Sequence, residues 1–165
     1  MRSLVTYYTR TGNTEKLARA IYEVIETDKG IMPMEELRSP GDYDVIFCGF
    51  PVQSHSVPVP VQTFIKSLPA GKKLAFFITH GSLRGGQLAT TAIEHAVSLA
   101  PHSEVLGTFG CRGKVEPKII EQLMKEPEHK KWAKEALSAS SHPDQADLDD
   151  GKDFARKMMA KALSV

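Results

Sequence analysis

The sequence predicts a single α/β domain over residues 1–165, with a doubly wound, five-stranded parallel sheet and additional C-terminal helices. Five apolar runs of strand length alternate with segments of helical period up to residue 109, and beyond it the pattern is helical. Strands that are apolar on both faces and separated by helices favour a parallel sheet covered on both sides. Right-handed crossovers between such strands produce the doubly wound arrangement.

The predicted strands are short apolar segments bounded by polar residues. They are expected at 4–8, 30–34, 44–50 (DVIFCGF), 74–79 (LAFFIT) and 105–109. The second is the weakest, and Pro33 places it at a sheet edge, because proline cannot donate to a central ladder.

The predicted helices follow from apolar residues spaced three and four apart. They are expected at 14–26, in a short stretch after Pro60, at 87–100, from Pro117 onward, at 128–137 and at 145–163. Pro117 suits a first helical position, where its missing N–H costs nothing.

Composition and charge exclude several classes of function. At 165 residues, with 41% hydrophobic and 25% charged residues, the chain is an ordinary globular domain. A net charge of +1 argues against nucleic acid as a partner.

No apolar run approaches the roughly 20 residues that span a bilayer. The N-terminus enters a strand without a signal-peptide cleavage site, so we expect a cytoplasmic protein without a membrane partner. Two cysteines without a CxxC pair predict neither a disulfide framework nor a zinc site.

The loops after the predicted strands indicate a ligand site. Ligands of doubly wound sheets bind at the carboxyl ends of the strands. The segments at 9–14, 51–58, 79–86 and 110–114 occupy those ends, and each is small, polar or rich in glycine.

The first of these loops, TRTGNT, connects a strand to a helix. Main-chain amides in such a turn and at the helix N-terminus point at one spot and bind anions. Threonine hydroxyls add donors, and Gly12 lets the backbone bend close to an anion. The loop is neither a P-loop nor a GxGxxG dinucleotide loop. It is either a site for a terminal monoester phosphate or an ordinary helix cap.

The first strand and TRTGNT resemble the phosphate signature of the flavodoxin family, a T/S-x-T-G-x-T loop. The order of elements, the loop opened by Gly49-Phe50-Pro51, the stretch Thr79-His80-Gly81-Ser82 and the closing region from His142-Pro143-Asp144 also fit, so the resemblance covers nearly the whole chain. It implies the strand order 2-1-3-4-5 and flavin mononucleotide (FMN) as the cofactor.

The resemblance also implies the cofactor-binding residues. It assigns the phosphate to Thr9, Arg10, Thr11, Gly12, Asn13 and Thr14. It assigns the isoalloxazine ring to Pro51, Val52, Gln53, Ser54, His55 and Ser56 on one side and to Thr79, His80, Gly81 and Ser82 on the other. Gly85 and Cys111 are further candidates at the same edge. Arg112 and Lys114 beside Cys111 would lower its thiol pKa, although a packed position at a strand end is the alternative.

The two ring-flanking loops depart from the family pattern. Most flavodoxins sandwich the ring between aromatic side chains, but PVQSHSVP and THGSLRGG contain no Trp, Tyr or Phe. His55 and His80 are the only rings in these loops. We expect Val52, His55 or Leu83 to cover one face and leave the other open to a partner or substrate.

The stretch Gln53–Ser56 also lacks the glycine that makes a peptide flip beside the flavin cheap in the family. A non-glycine residue at positive φ costs roughly 1–2 kcal/mol, so two-electron chemistry is expected to be favoured.

Charge at the loop edge bears on the partner. Arg10, Arg84, Arg112 and Lys114 stand where electron-shuttling family members carry an acidic rim, and positive charge would steer an acidic redox partner or NAD(P)H.

The leading interpretation is an FMN-binding electron-transfer flavoprotein, a carrier rather than a stand-alone oxidoreductase. The alternative is an NAD(P)H-dependent flavin or quinone reductase on the same fold. No catalytic residue and no metal site are predicted, and the sequence leaves a homodimer open.

Overall fold

The computed structural model describes residues 1–164 and shows one five-stranded parallel sheet; Val165, the last residue of the predicted domain, lies outside the described residues. The strands are β1 (Arg2–Tyr7), β2 (Asp28–Pro33), β3 (Val45–Pro51), β4 (Lys73–His80) and β5 (Glu104–Arg112). They lie in the order β2-β1-β3-β4-β5. This confirms the predicted fold class, including the edge position of the strand that contains Pro33.

Six α-helices are present in residues 1–164, as predicted. They are α1 (Asn13–Glu23), α2 (Val59–Ser67), α3 (Gln87–Ser98), α4 (Pro117–Met124), α5 (Lys130–Ser138) and α6 (Gln145–Leu163), with short 3₁₀ turns at Met34–Glu36, Pro40–Asp42 and Pro127–His129. Apolar residues of α1 and α6 pack on one face of the sheet and those of α2 and α3 on the other. The central strands β1, β3 and β4 are almost entirely buried because of this double covering.

Some element ends differ from the predictions for identifiable reasons. The apolar period of the first helix continues past Glu23, but Val24 and Ile25 donate to carbonyl oxygens only three residues back, so the last turn tightens and α1 stops early. The predicted helix at 128–137 begins instead with the 3₁₀ turn at Pro127–His129.

The edge strand β5 is longer than predicted and contains a bulge. Leu74 pairs with Val105 and Ala75 pairs with Gly107, so Leu106 is the extra residue, and the ladder continues to Arg112. The Nζ of Lys161 on α6 donates to the Leu106 carbonyl oxygen at 2.8 Å. A carbonyl that the bulge removes from the ladder is thereby satisfied.

The centre of the sheet depends on one close backbone approach. Gly49 of β3 is paired with Phe77 of β4. A Cβ at Gly49 would lie 2.1 Å from the Phe77 ring. The absence of a side chain at Gly49 is therefore what gives the fully buried Phe77 its room.

Across residues 1–164, every helix is too short or too polar to traverse a lipid bilayer.

Candidate functional site

A cavity of about 530 Å³ lies at the carboxyl ends of β1, β3 and β4. It is bounded by the three predicted loops and by the chain that follows β5. The predicted residues that line it are Thr9, Arg10, Thr11, Asn13, Thr14, Pro51, Val52, Gln53, Ser54, His55, Thr79, His80, Gly81 and Ser82. The structure therefore brings the three loops together around one space.

The loop Thr9–Thr14 has the geometry of an anion cradle. Gly12 precedes α1 with φ 90°, and its N–H donates to Thr9 Oγ1 at 3.0 Å. No side chain among the described residues caps this helix end, so the first-turn amides remain available to a ligand. Glu15, the acidic residue of this first turn, pairs with Arg19 at 2.6 Å. The loop is thus not the ordinary side-chain cap that the sequence left as an alternative.

Hydrogen bonds join the loops that surround the cavity. Thr14 Oγ1 lies 2.9 Å from Thr79 Oγ1, and both side chains are buried. Asn13 Nδ2 donates to the Lys114 carbonyl oxygen at 2.8 Å, and the Gly113 N–H donates to the His80 carbonyl oxygen at 2.8 Å. The ends of β1, β4 and β5 are consequently held in one fixed arrangement.

The four cations predicted at this edge have different surroundings. Arg10 and Lys114 line the cavity. Arg84 pairs with Asp150 at 2.7 Å and lies over the Phe109 ring. Arg112 is taken up by main-chain and hydroxyl oxygens. Positive charge at the cavity therefore comes chiefly from Arg10 and Lys114.

The turn after β3 adopts the conformation that its residue types disfavour. Ser54 and His55 have φ of 47° and 63°, and two main-chain hydrogen bonds between Gln53 and Ser56 close the turn. Two consecutive positive φ values are typical of a type I′ turn. Because the positive-φ conformation is already present, the missing glycine gives no reason to expect two-electron chemistry.

His95 supports this turn from α3. Its Nδ1 lies 3.0 Å from Ser56 Oγ, and Ser56 does not line the cavity. No motif in the sequence indicates this supporting contact. It depends on tertiary packing between α3 and the turn after β3, since the two residues are 39 positions apart in the sequence.

Replacing Ser54 by glycine is expected to raise the free energy of unfolding by about 0.5–1 kcal/mol, because relief of positive-φ strain exceeds the added entropy of the unfolded chain. Urea unfolding of both proteins measures the difference. Ser54→Ala is the matched control, since alanine keeps the strain and should leave stability near the wild-type value. A less stable Ser54→Gly protein would contradict the assignment of strain.

His80 presents a neutral ring to the cavity. The side chain is 5% exposed, and burial lowers its pKa below the ordinary 6.5; the hydrogen bond to Ser82 opposes this, while the charges of Arg112 and Arg84 add to it. Its Nδ1 lies 3.1 Å from the Ser82 carbonyl oxygen. Since a carbonyl only accepts, Nδ1 carries the proton and Nε2 is an acceptor.

The lowered pKa predicts a pH dependence of stability. Below about pH 6.5 the unfolded chain binds a proton at His80 that the folded chain resists, so the free energy of unfolding should fall as the pH drops through this range. His80→Gln should flatten the decline below about pH 6.5. Denaturant titrations at several pH values measure this. An identical slope in the variant would show that His80 is not the group responsible.

Four predicted cofactor residues do not line the cavity: Gly12, Ser56, Gly85 and Cys111. Gly12 contributes the positive φ that its loop requires, and Gly85 lies in a turn with φ 75°. Cys111 is fully buried in the core beneath α1 and α6, and burial raises the pKa of its thiol to about 12. The prediction that its basic neighbours lower this pKa is therefore wrong. Leu83, proposed as a cover for the ring, is 53% exposed and lies off the cavity.

Residues 115–138, here called the 115–138 segment, form a wall of the cavity; the sequence leaves open whether residues 115–137 cover the site or mediate pairing between subunits. Its lining residues are Val115, Glu116, Ile119, Leu123, His129 and Trp132. The segment has a small hydrophobic cluster of its own, centred on Ile120, Ala133 and Ala136. The only available signal was the lone tryptophan in the charged stretch KKWAKE. His129 and Trp132 thus add rings to the cavity beyond His55 and His80, which are the only rings of the two loops.

Comparison with known proteins agrees with the fold. The sequence model of the flavodoxin domain matches residues 4–156. A curated relative, the flavodoxin-like domain-containing protein BilS of Clostridioides difficile (strain CD3), is 32% identical over 177 residues and is matched over 100% of both chains. The chain therefore belongs to the flavodoxin domain family.

Solved structures share the architecture at low sequence identity. A flavodoxin from the domain Archaea is 17% identical, with 98% of this chain and 99% of that chain covered and a TM-score of 0.64. Oxidised flavodoxin 2 from Bacillus cereus is 18% identical with the same coverage and TM-score. A flavoprotein from Lactobacillus acidophilus, solved in complex with FMN, is 19% identical over 66% of this chain and 92% of that chain, with a TM-score of 0.55.

Proposed function

We propose that this protein is an FMN-binding flavoprotein that carries electrons between redox partners. The observation that carries the proposal is the uncapped N-terminus of α1, whose first-turn amides stand beside Arg10 and Lys114 in one cavity. Amides and cations in this arrangement suit a phosphate monoester. Membership of the flavodoxin domain family and the FMN-bound flavoprotein of Lactobacillus acidophilus support FMN as the cofactor.

Bound FMN would supply the redox chemistry, because none of the twenty amino-acid side chains accepts and returns electrons as a flavin does. Thr9–Thr14 would bind the phosphate, and Arg10 and Lys114 would offset its charge. The loops Pro51–Ser56 and Thr79–Ser82 would orient the ring. His80, neutral and held by Ser82, would present an acceptor nitrogen rather than a further positive charge beside Arg10 and Lys114.

The charges around the cavity favour a carrier over a nicotinamide-dependent reductase. A dinucleotide brings further phosphates that need their own donors. Of the four cations at this edge, Arg84 and Arg112 are occupied by Asp150, Glu135 and Ser138. The other two cations, Arg10 and Lys114, would have to serve both the FMN phosphate and the phosphates of the dinucleotide. An NAD(P)H-dependent flavin or quinone reductase stays the second candidate, because a reductase would need the same contacts to the flavin ring as a carrier.

The test separates cofactor binding from the reaction. The purified protein is reconstituted with FMN and gel-filtered, and the flavin released on denaturation is identified. We expect FMN in a ratio near one per chain, and slow oxidation of NADH and NADPH unless a partner reductase is added. A colourless protein after incubation with excess FMN would refute the flavoprotein assignment. Rapid NAD(P)H oxidation without a partner would establish the reductase instead.

A further inference from the structure

We propose that Trp132 provides the aromatic wall of the flavin ring site, taking the place of the aromatic residues that the loops after β3 and β4 lack. The proposal rests on FMN as the ligand of the cavity. It concerns which side chain of this chain contacts the ring, and it assigns the 115–138 segment a role in binding.

The contact between the 115–138 segment and Gly81 carries the inference. A Cβ at Gly81 would lie 2.4 Å from Val115 Cγ2 and 3.7 Å from Trp132 Cζ2. The space of a side chain at Gly81 is therefore occupied by residues from the 115–138 segment. Gly81 belongs to the loop predicted to flank the ring, so Trp132 stands beside that loop and supplies an aromatic surface from a different element.

Trp132 is placed for ligand contact as well as for packing. The small cluster of the segment is filled by Ile120, Ala133 and Ala136, which are all buried. Trp132 lies at its edge, is only partly buried and lines the cavity. A large aromatic face that borders a cavity is suited to a planar aromatic ligand.

The cavity has two chemically different linings. Thr9–Thr14 and Lys114 provide amides, hydroxyls and positive charge. Val115, Ile119 and Leu123 join Trp132 in a largely apolar wall, in which Glu116 and His129 are the polar members. A ligand that combines an anionic group with a flat, largely apolar ring matches both linings. FMN has this combination: its phosphate matches the polar lining, and its ring matches the apolar wall.

Arg112 fixes the apolar wall against the ring-flanking loop. Its Nη2 donates to the Glu135 carbonyl oxygen and to Ser138 Oγ, both at 2.7 Å, and its Nε donates to the Ser82 carbonyl oxygen at 3.1 Å. One guanidinium thus joins the last turn of α5 to the loop after β4. Its positive charge also interacts favourably with the C-terminus of α5. Trp132 is held in position before any ligand binds, which reduces the ordering cost of binding.

The test uses ligands with and without the phosphate. Full-length Trp132→Ala, Trp132→Phe and Trp132→Leu are titrated with FMN and with riboflavin, and the change in flavin fluorescence gives each Kd. Trp132→Ala should weaken both ligands by a similar factor of about ten, because the lost contact is with the ring. Trp132→Phe should stay within about threefold of wild type, since an aromatic face remains. Leu137→Ala is the matched control, because Leu137 lies on the same helix, 51% exposed and off the cavity.

A second readout is the visible absorption spectrum of the bound flavin. The shift between free and bound FMN should change in Trp132→Ala and be retained in Leu137→Ala. If Trp132→Ala does not fold, Trp132→Leu keeps apolar bulk without a ring and should bind both flavins more weakly than Trp132→Phe. Equal binding of both flavins by wild type and these variants would overturn the role of Trp132 and leave the FMN assignment intact. Failure of the wild-type protein to bind either flavin would instead refute the proposed function.

Discussion

FMN is expected to bind about 100-fold more tightly than riboflavin, which lacks the phosphate. Hydrogen bonds to a charged group contribute about 1.5–3 kcal/mol each, and two such bonds correspond to roughly a hundredfold in Kd. The donors are the first-turn amides of α1 and the hydroxyls of Thr9–Thr14, and Arg10 and Lys114 add positive charge. Titration of the apoprotein with both flavins measures the ratio. Equal affinities would show that this loop does not bind the phosphate.

A substitution in the loop isolates this contribution. Gly12 has φ 90°, and a Cβ there would meet nothing within 4 Å, so Gly12→Ala introduces backbone strain without a clash. Strain of about 1–2 kcal/mol should displace the loop and weaken FMN about tenfold, with little effect on riboflavin. Gly71→Ala is the matched control, because Gly71 has φ 79°, equally open surroundings and no place in the cavity. It should reduce stability to a similar extent and leave both affinities unchanged.

Replacing Gly49 by alanine is expected to lower the free energy of unfolding by about 3 kcal/mol. The new Cβ would lie 2.1 Å from Phe77 Cε2 and 2.2 Å from Phe77 Cζ. Phe77 is fully buried, so its ring has no solvent-filled space into which it could move. Overpacking of a dense core typically costs about 1–3 kcal/mol, and the severity of this contact places the variant at the upper end. Chemical denaturation measures the loss.

The clash itself can be tested by a second substitution. The double variant Gly49→Ala/Phe77→Leu should lose less free energy of unfolding than the sum of the losses in the two single variants, because leucine vacates the space that the Cβ enters. Gly41→Ala is the control, since its Cβ would make only an ordinary 3.7 Å contact with Pro69 Cγ. It should change stability by no more than about 0.5 kcal/mol. Additive effects of the paired substitutions would contradict the steric explanation.

The fold was predictable because its signals are local. Runs such as 44–50 and 74–79 are apolar on both faces, which specifies buried parallel strands, and TRTGNT stands at a strand-to-helix junction where its neighbours define its geometry. Strand ends are less well encoded. The extension of β5 to Arg112 depends on pairing with His80 of β4, which the sequence of β5 alone does not contain.

The parts of the site that were missed depend on tertiary placement. Trp132 reaches the loop at Gly81 from 51 positions further along the chain, and no periodicity reports such an approach. Cys111 is buried in the core, and this burial raises its thiol pKa, while the adjacent Arg112 points to the opposite face of β5. Ser54 and His55 adopt positive φ because the closed turn imposes it.

The bulge in β5 has a consequence for how copies of the chain can associate. Lys161 occupies the Leu106 carbonyl oxygen, so the outer ladder of this edge strand is interrupted by a bulge and a cation. At the opposite margin β2 ends in Pro33, which lacks an N–H. Strands flanked in this way resist continuation of the sheet into a neighbouring molecule. For the homodimer that the sequence leaves open, we therefore expect contacts through helix surfaces rather than through extension of the β-sheet.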